Sequence, residues 1–184
     1  GAWKLNLPAT GAGGPFELSI KGKNEIRISD VLVGEVWLCS GQSNMEWTVG
    51  GSLNFDQEKQ AANDPMIRQL LVPKRPASLP MSNMDAKWTV CSSNTVGGFT
   101  ACGYFMAKHL RKELNVPIGL INSSWGGTRI EPWTPPVGFK NVPALADIYR
   151  QIEKLDPKNA EYKKKLGAYL DSVDEWLKKS KAAA

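Results

Sequence analysis

A chain of 184 residues, 42% hydrophobic and 22% charged, is long enough for one α/β domain with a full core and ordinary enough to be globular. It holds no run of ~18 apolar residues, which excludes a membrane-spanning helix. Its formal charge of +5 is spread without a dense basic cluster, which argues against nucleic acid as a partner.

The first residues do not read as a signal peptide, because Lys4, Asn6 and Pro8 interrupt any apolar run. They alternate instead. Trp3, Leu5 and Leu7 fall on one side of an expected strand, Phe16, Leu18 and Ile20 on one side of a second, and Ile26 and Ile28 on one side of a third. With turns expected at "TGAGGP" and "KGKN", this period of two predicts antiparallel β structure. Residues 1–33 are too few to enclose a β domain and read as the last strands of an N-terminal one.

The pattern changes at "GEVWLCSGQSNMEW", Gly34 to Trp47. Val36–Cys39 is a short continuous apolar run, the signature of a parallel strand covered on both faces, and Ile67–Val72 and Pro117–Asn122 (core Ile118–Ile121) repeat it. Before the last of these, "FTACGYFMAKHLRKEL" sets Cys102, Phe105, Met106, Leu110 and Leu114 at helical spacing, with Lys108, Arg111 and Lys112 opposite. Buried-type strands joined through such a helix predict an α/β fold, a parallel sheet with helices on its faces. From about residue 142 the chain reads as helical. One stripe runs from Leu145 to Leu155, Asp156-Pro157 breaks it, and a second runs from Tyr162 through Leu166, Tyr169, Leu170 and Val173 to Leu177. The three cysteines have no metal-like spacing. Cys39 reads as a buried thiol, and a disulfide between Cys91 and Cys102 stays open.

In open parallel sheets ligands bind at the carboxyl ends of the strands. Two strands here end in unusual loops, "SGQSNMEW" and "NSSWGGTRIEPW". Ser43 in the first could attack a carbonyl. Backbone N–H groups of Ser43 and around Gly126 and Gly127 could hold the oxyanion, each donor being worth roughly 3 kcal/mol in the transition state. The plainer alternatives are a turn-forming serine and an ordinary glycine turn. The first loop is not a nucleophile elbow, because Met45 stands where the second glycine belongs, and no Gly-Lys-Ser/Thr marks a phosphate loop. Trp37, Trp47, Trp125 and Trp133 read as core, with one or two free to stack on a sugar. The single histidine, His109, falls at the boundary of the helix stripe and reads as non-catalytic. Asn122-Ser123-Ser124 fits a glycosylation sequon but follows a buried strand, so it reads as unused. Arg129 and Glu131 read as an ion pair, mutual or nearby, rather than as substrate contacts.

"GEVWLCSGQSNMEW" closely resembles the first sequence block of the sialate O-acetylesterase family, within the SGNH hydrolases. "VGGFTACGYFMAKHLRKELNVPIGLINSSWGGTRIEPW" resembles the next, and "AGGPFELSIKG" with "ISDVLVGEVW" looks like the end of that family's N-terminal β domain. The resemblance covers roughly residues 3–135. It implies a three-layer α/β/α SGNH-type domain from residue 34, with a helical insertion from about 142. It implies Ser43 as nucleophile, an oxyanion hole at Ser43 and within Gly126-Gly127 (Gly127 favoured), and Gln42 and Asn44 shaping the loop by side-chain hydrogen bonds and meeting substrate. No metal or cofactor is implied. The substrate class is an O-acetylated carbohydrate, sialic acid or an acetylated polysaccharide such as xylan, which points to a secreted or periplasmic setting. The family also carries a Gln-Gly-Glu-type block that helps form the oxyanion hole and a late Asp-x-x-His that supplies the acid and base. Neither is in these residues. The expectation is therefore a fragment whose missing part supplies the Asp-x-x-His. The alternative is a non-catalytic carbohydrate-binding or interaction chain that keeps the scaffold alone.

Overall fold

The structure, a computed structural model, describes residues 4–77 and 80–182. In chain order the elements are β1 (Gly13–Lys21), β2 (Glu25–Val33), β3 (Glu35–Gly41), α1 (Ser43–Glu46), α2 (Phe55–Ala61) and β4 (Ile67–Leu71). They continue with β5 (Trp88–Val90), α3 (Ala101–Leu114), β6 (Ile118–Ser124), α4 (Pro136–Lys140), α5 (Ala146–Leu155) and α6 (Ala160–Ala182). Two compact units result: one of Gly1–Lys74 with Met84–Gly127, the other of Arg75–Asn83 with Thr128–Ala184.

β1 and β2 form an antiparallel two-stranded sheet of their own, with Leu18 opposite Ile28 and Ile20 opposite Ile26, as the alternation predicts. The turn at "KGKN" is present, closed by the Gly22 N–H on the Asn24 carbonyl at 2.8 Å. "TGAGGP" is not a turn, since Gly13 to Pro15 already lie in β1. The strand expected at Trp3–Leu7 is not found either. Leu5 and Leu7 are outside any strand and exposed, and Trp3 lies outside the described residues. Alternation supplies one half of a ladder, and no described strand offers Leu5 and Leu7 the other half.

The second sheet runs in the order β3-β6-β4-β5. β3 and β4 both pair parallel with β6, so the three apolar runs are parallel strands of one sheet. β5 pairs antiparallel with β4 and makes the sheet mixed rather than parallel. Three residues are too short for periodicity to reveal.

α3 packs on one face. Beneath it lie Ile118 and Leu120 of β6, Ile67 and Gln69 of β4 and Cys39 of β3, all buried. Of the expected stripe Met106 and Leu110 pack against the core, half-buried, but the fully buried side of α3 is Ala101, Gly103, Tyr104 and Ala107. Cys102, Phe105 and Leu114 are exposed. The cause is close approach. A Cβ at Gly103 would lie 2.8 Å from Cys39 Sγ and 2.7 Å from Thr100 Cγ2, so only small residues let the helix sit this near the sheet. Phe99 and Tyr104 fill the remaining space edge to face, ring centres 6.5 Å apart.

The opposite face is bare along β3, while Arg68 of β4 on that side bonds the Asp30 carboxylate at 2.7 Å. Val36 and Leu38 of β3 are 60% and 67% exposed, and Trp88 of β5, on the same side, is 43% exposed. Trp37, pointing to the helix side, is also exposed, because β3 is an edge strand. The reading of Val36–Cys39 as covered on both faces is therefore corrected: among the described residues Cys39 alone in that run is buried. All three cysteines are free thiols, Cys39 and Cys91 buried and Cys102 exposed, so no disulfide joins Cys91 to Cys102.

In the second unit the helices begin with α4 at Pro136, a few residues before the expected start. α5 stops at Leu155, where Asp156-Pro157 breaks it as predicted. α6 opens on Asn159, whose Oδ1 accepts the Glu161 N–H at 2.8 Å. Tyr169 and Leu170 of its stripe are exposed, while Phe139 of α4 is buried.

Candidate active site

β3 and β6 are parallel and in register, Cys39 beside Asn122 and Gly41 beside Ser124, so their loops leave at the same edge. The Trp125 N–H donates to the Gly41 carbonyl at 3.0 Å and holds the two loops together. After Gly41 the Gln42 carbonyl accepts the N–H groups of Met45 (3.0 Å) and Glu46 (2.9 Å). This closes α1, with Ser43 as its first residue. A buried polar network fastens the turn. The Thr100 hydroxyl donates to the Met45 carbonyl at 2.6 Å, the Ala101 N–H to the Trp47 carbonyl at 2.8 Å, and Gln69 Oε1 accepts the Thr100 N–H at 2.8 Å. Gln69 and Thr100 are both buried with their hydrogen bonds made, so the network holds one geometry instead of leaving polar groups stranded.

Ser43 is exposed, and its hydroxyl has no hydrogen-bond partner among the described residues. Gln42 and Asn44 are exposed too. The side-chain bonds expected from them to the backbone are not formed, since the Gln42 carbonyl does that work. The second loop brings Gly126 against Ser43: a Cβ there would lie 3.2 Å from Ser43 Oγ and 2.6 Å from Glu46 Oε2. Gly127 has open space but φ +77°, a conformation that L side chains rarely adopt. A Cβ at Gly126 would displace the Glu46 carboxylate, and a side chain at Gly127 would strain the backbone. The N–H groups of Ser43 and Gly127 have no partner among the described residues, whereas the Gly126 N–H donates to Glu46 Oε2.

Glu46 and Lys74 are the site residues that sequence reading passed over. Lys74, just after β4, pairs with the other Glu46 oxygen, and its Nζ lies 5.8 Å from the centre of the Trp125 ring. A signal was present. Glu46 is the single charge in "SGQSNMEW" and stands three residues after Ser43, on the same side of any helical turn.

Other expected residues fall elsewhere. His109 is exposed on α3, nine residues beyond Thr100 and so ~13 Å further along that axis. Trp37 of β3 and Trp47 are exposed, and Trp125 and Trp133 are half-buried, so none of the four tryptophans is core. Arg129 and Glu131 form no ion pair among the described residues, and Arg129 is exposed. Asn122 is buried, its side-chain oxygen accepting the Ser124 hydroxyl at 2.6 Å. Burial pushes the Cys39 and Cys91 thiols above the ordinary cysteine value, which leaves neither as a nucleophile.

A serine and a glycine pair thus stand on adjoining loops at the carboxyl edge of parallel strands, where α/β sheets bind their ligands. The family model for carbohydrate esterases described as sialic acid-specific acetylesterases matches residues 33–170, and the chain belongs to that family. It is 38% identical over 162 residues to a sialate O-acetylesterase of Homo sapiens, covering 79% of this chain and 31% of that protein. It is 36% identical over 161 residues to one of Rattus norvegicus, covering 79% of this chain and 30% of that protein. The crystal structure of a carbohydrate acetylesterase from Xanthomonas citri superposes with a TM-score of 0.71 at 44% identity, over 73% of this chain and 32% of that one. The chain thus spans about three tenths of the length of the curated relatives it matches.

Proposed function

We propose that the chain is the nucleophile-bearing part of a serine esterase that removes O-acetyl groups from carbohydrates, sialic acid or an acetylated polysaccharide. The observation that carries this reading is Ser43, exposed at the sheet edge with an unpartnered hydroxyl and packed against Gly126, in a family named for such esterases. Ser43 Oγ attacks the acetyl carbonyl. The N–H groups of Ser43 and Gly127 receive the oxyanion; Gly126 is a poorer candidate because its N–H is already spent on Glu46. A histidine outside these residues, from an Asp-x-x-His segment of the longer enzyme, takes the serine proton and returns it to the departing sugar oxygen. Water then hydrolyses the acetyl-enzyme. Gln42 and Asn44, exposed on either side of Ser43, meet the sugar.

The same reading assigns the bare sheet face to a second helical layer from the remaining enzyme, giving a three-layer SGNH-type domain. Residues 1–33 are then the end of an N-terminal β domain and the helices from about 142 an insertion. On this reading polymer-bound acetyl esters favour a secreted or periplasmic setting.

The test is hydrolysis of 4-nitrophenyl acetate by the full-length protein. Ser43→Ala is expected to lower kcat at least ~10³-fold without lowering the melting temperature, and the 184-residue chain alone to be nearly inactive. Full activity in Ser43→Ala would remove Ser43 from the mechanism and leave a carbohydrate-binding scaffold as the better account.

A further inference from the structure

Three strand-end segments converge on one carboxylate. Glu46 sits at the end of the short helix that Ser43 begins. One of its oxygens accepts the Gly126 N–H of the loop after β6, and the other pairs with Lys74 of the segment after β4. The group is half-buried, with a third of its side chain exposed (33%), so the pairing is only partly screened by water. Lys74 in turn stands over Trp125, the residue before Gly126. Both ends of the glycine turn's entry are therefore held: Trp125 through its N–H on Gly41 and its ring under Lys74, Gly126 through Glu46.

We propose that Glu46 is a positioning residue for acyl transfer at Ser43, a proposal that rests on the reading of Ser43 as nucleophile. With its Lys74 partner it fixes the orientation of the Gly126 peptide. That fixes where the next peptide points its own N–H, and Gly127, at φ +77° and in open space, can present that N–H to a substrate oxygen. Glu46 does not act as the base. Both its oxygens are engaged, one by an amide N–H and one by an ammonium, so its task is to hold the loop rather than to take the serine proton. Gly126 is the complement of this arrangement: with a Cβ 2.6 Å from Glu46 Oε2, any larger residue would push the carboxylate off its seat.

A misplaced oxyanion donor weakens transition-state binding more than substrate binding, so the effect belongs in kcat. In the full-length protein Glu46→Ala is expected to lower kcat for 4-nitrophenyl acetate ~10–100-fold with KM changed less than ~3-fold. Amide exchange in the segment 122–129 should quicken in the same variant. Glu46→Gln, which keeps a carbonyl oxygen for the Gly126 N–H, should hold kcat within ~5-fold of the parent. Glu46→Asp, one methylene shorter, should lose at least ~10-fold. If Glu46→Ala fails to fold, the Gln and Asp variants decide, and an inverted order between them overturns the proposal. Unchanged kcat in a folded Glu46→Ala overturns it as well. These outcomes are separable from the reading beneath: a Ser43-dependent esterase indifferent to Glu46 sinks this inference alone, while an enzyme indifferent to Ser43→Ala sinks the nucleophile assignment first.

Discussion

The two faces of the four-stranded sheet are made of the same kind of residue and meet opposite fates. Under α3, Ile67, Ile118 and Leu120 are almost fully buried. On the other side Val36 and Leu38 stand in water. The difference is not in the strands. Val36–Cys39 and Ile118–Ile121 have no polar side, which is the pattern of strands meant for cover on both faces, and β4 adds Arg68 and Gln69 with their hydrogen bonds made. The covered face shows what cover requires, a helix whose contact side is Ala101, Gly103, Tyr104 and Ala107 and which therefore comes close. The bare face shows a surface written for a partner that these residues do not include.

The comparison breaks if the two faces respond alike to substitution. Leu120→Ala removes a fully buried side chain and should cost ~2–5 kcal/mol in denaturant unfolding of the chain. Gly103→Ala should cost ~1–3 kcal/mol, because its Cβ meets Thr100 and Cys39 below 3.0 Å. Leu38→Ala on the bare face should change stability by less than ~0.5 kcal/mol in the 184-residue chain. In the full-length protein the same change should cost ~2 kcal/mol or more if a second layer lies there. Equal costs for Leu120→Ala and Leu38→Ala in the chain would mean the bare face is covered already.

Thiol chemistry sharpens the same contrast with a smaller signal. Cys102 is exposed on the outer side of α3, while Cys39 is buried under it. Burial first, and the neighbouring Cys102 second, raise the Cys39 thiol above its ordinary value, and burial raises Cys91. A raised thiol holds less thiolate at any given pH. A disulfide reagent should therefore label exposed Cys102 first, and Cys39 and Cys91 only when the chain is unfolded. Equal labelling of Cys39 and Cys102 in the folded chain would contradict the packing of α3.

Much of this was legible in the sequence, because strands and loop chemistry are local. Val36–Cys39, Ile67–Val72 and Ile118–Ile121 announced parallel strands, and "GQSN" and "WGGT" marked the loops at their ends. What was not legible depends on neighbours. The large residues of α3 suggested a Phe105–Leu114 stripe, but Gly103 and Ala107 decide the packing, since closeness favours residues that hydropathy ranks low. β5 gains its identity only by lying against β4. Exposure of Trp37 follows from the place of β3 at the sheet edge, and that of Val36 and Leu38 from what does not cover their face, and no run of residues encodes either. Glu46 was visible as a charge, but its partners come from 28 residues away at Lys74 and 80 at Gly126.

The most direct measurement is capture of the acyl intermediate. Full-length protein turning over an acetyl ester is quenched in acid and digested, and the acetylated peptide is identified by mass spectrometry. The account predicts the acetyl group on Ser43, in the peptide carrying "SGQSNMEW", and its loss in Ser43→Ala together with activity. An acetyl group on another residue, or an active enzyme in which Ser43 is never acetylated, would contradict it.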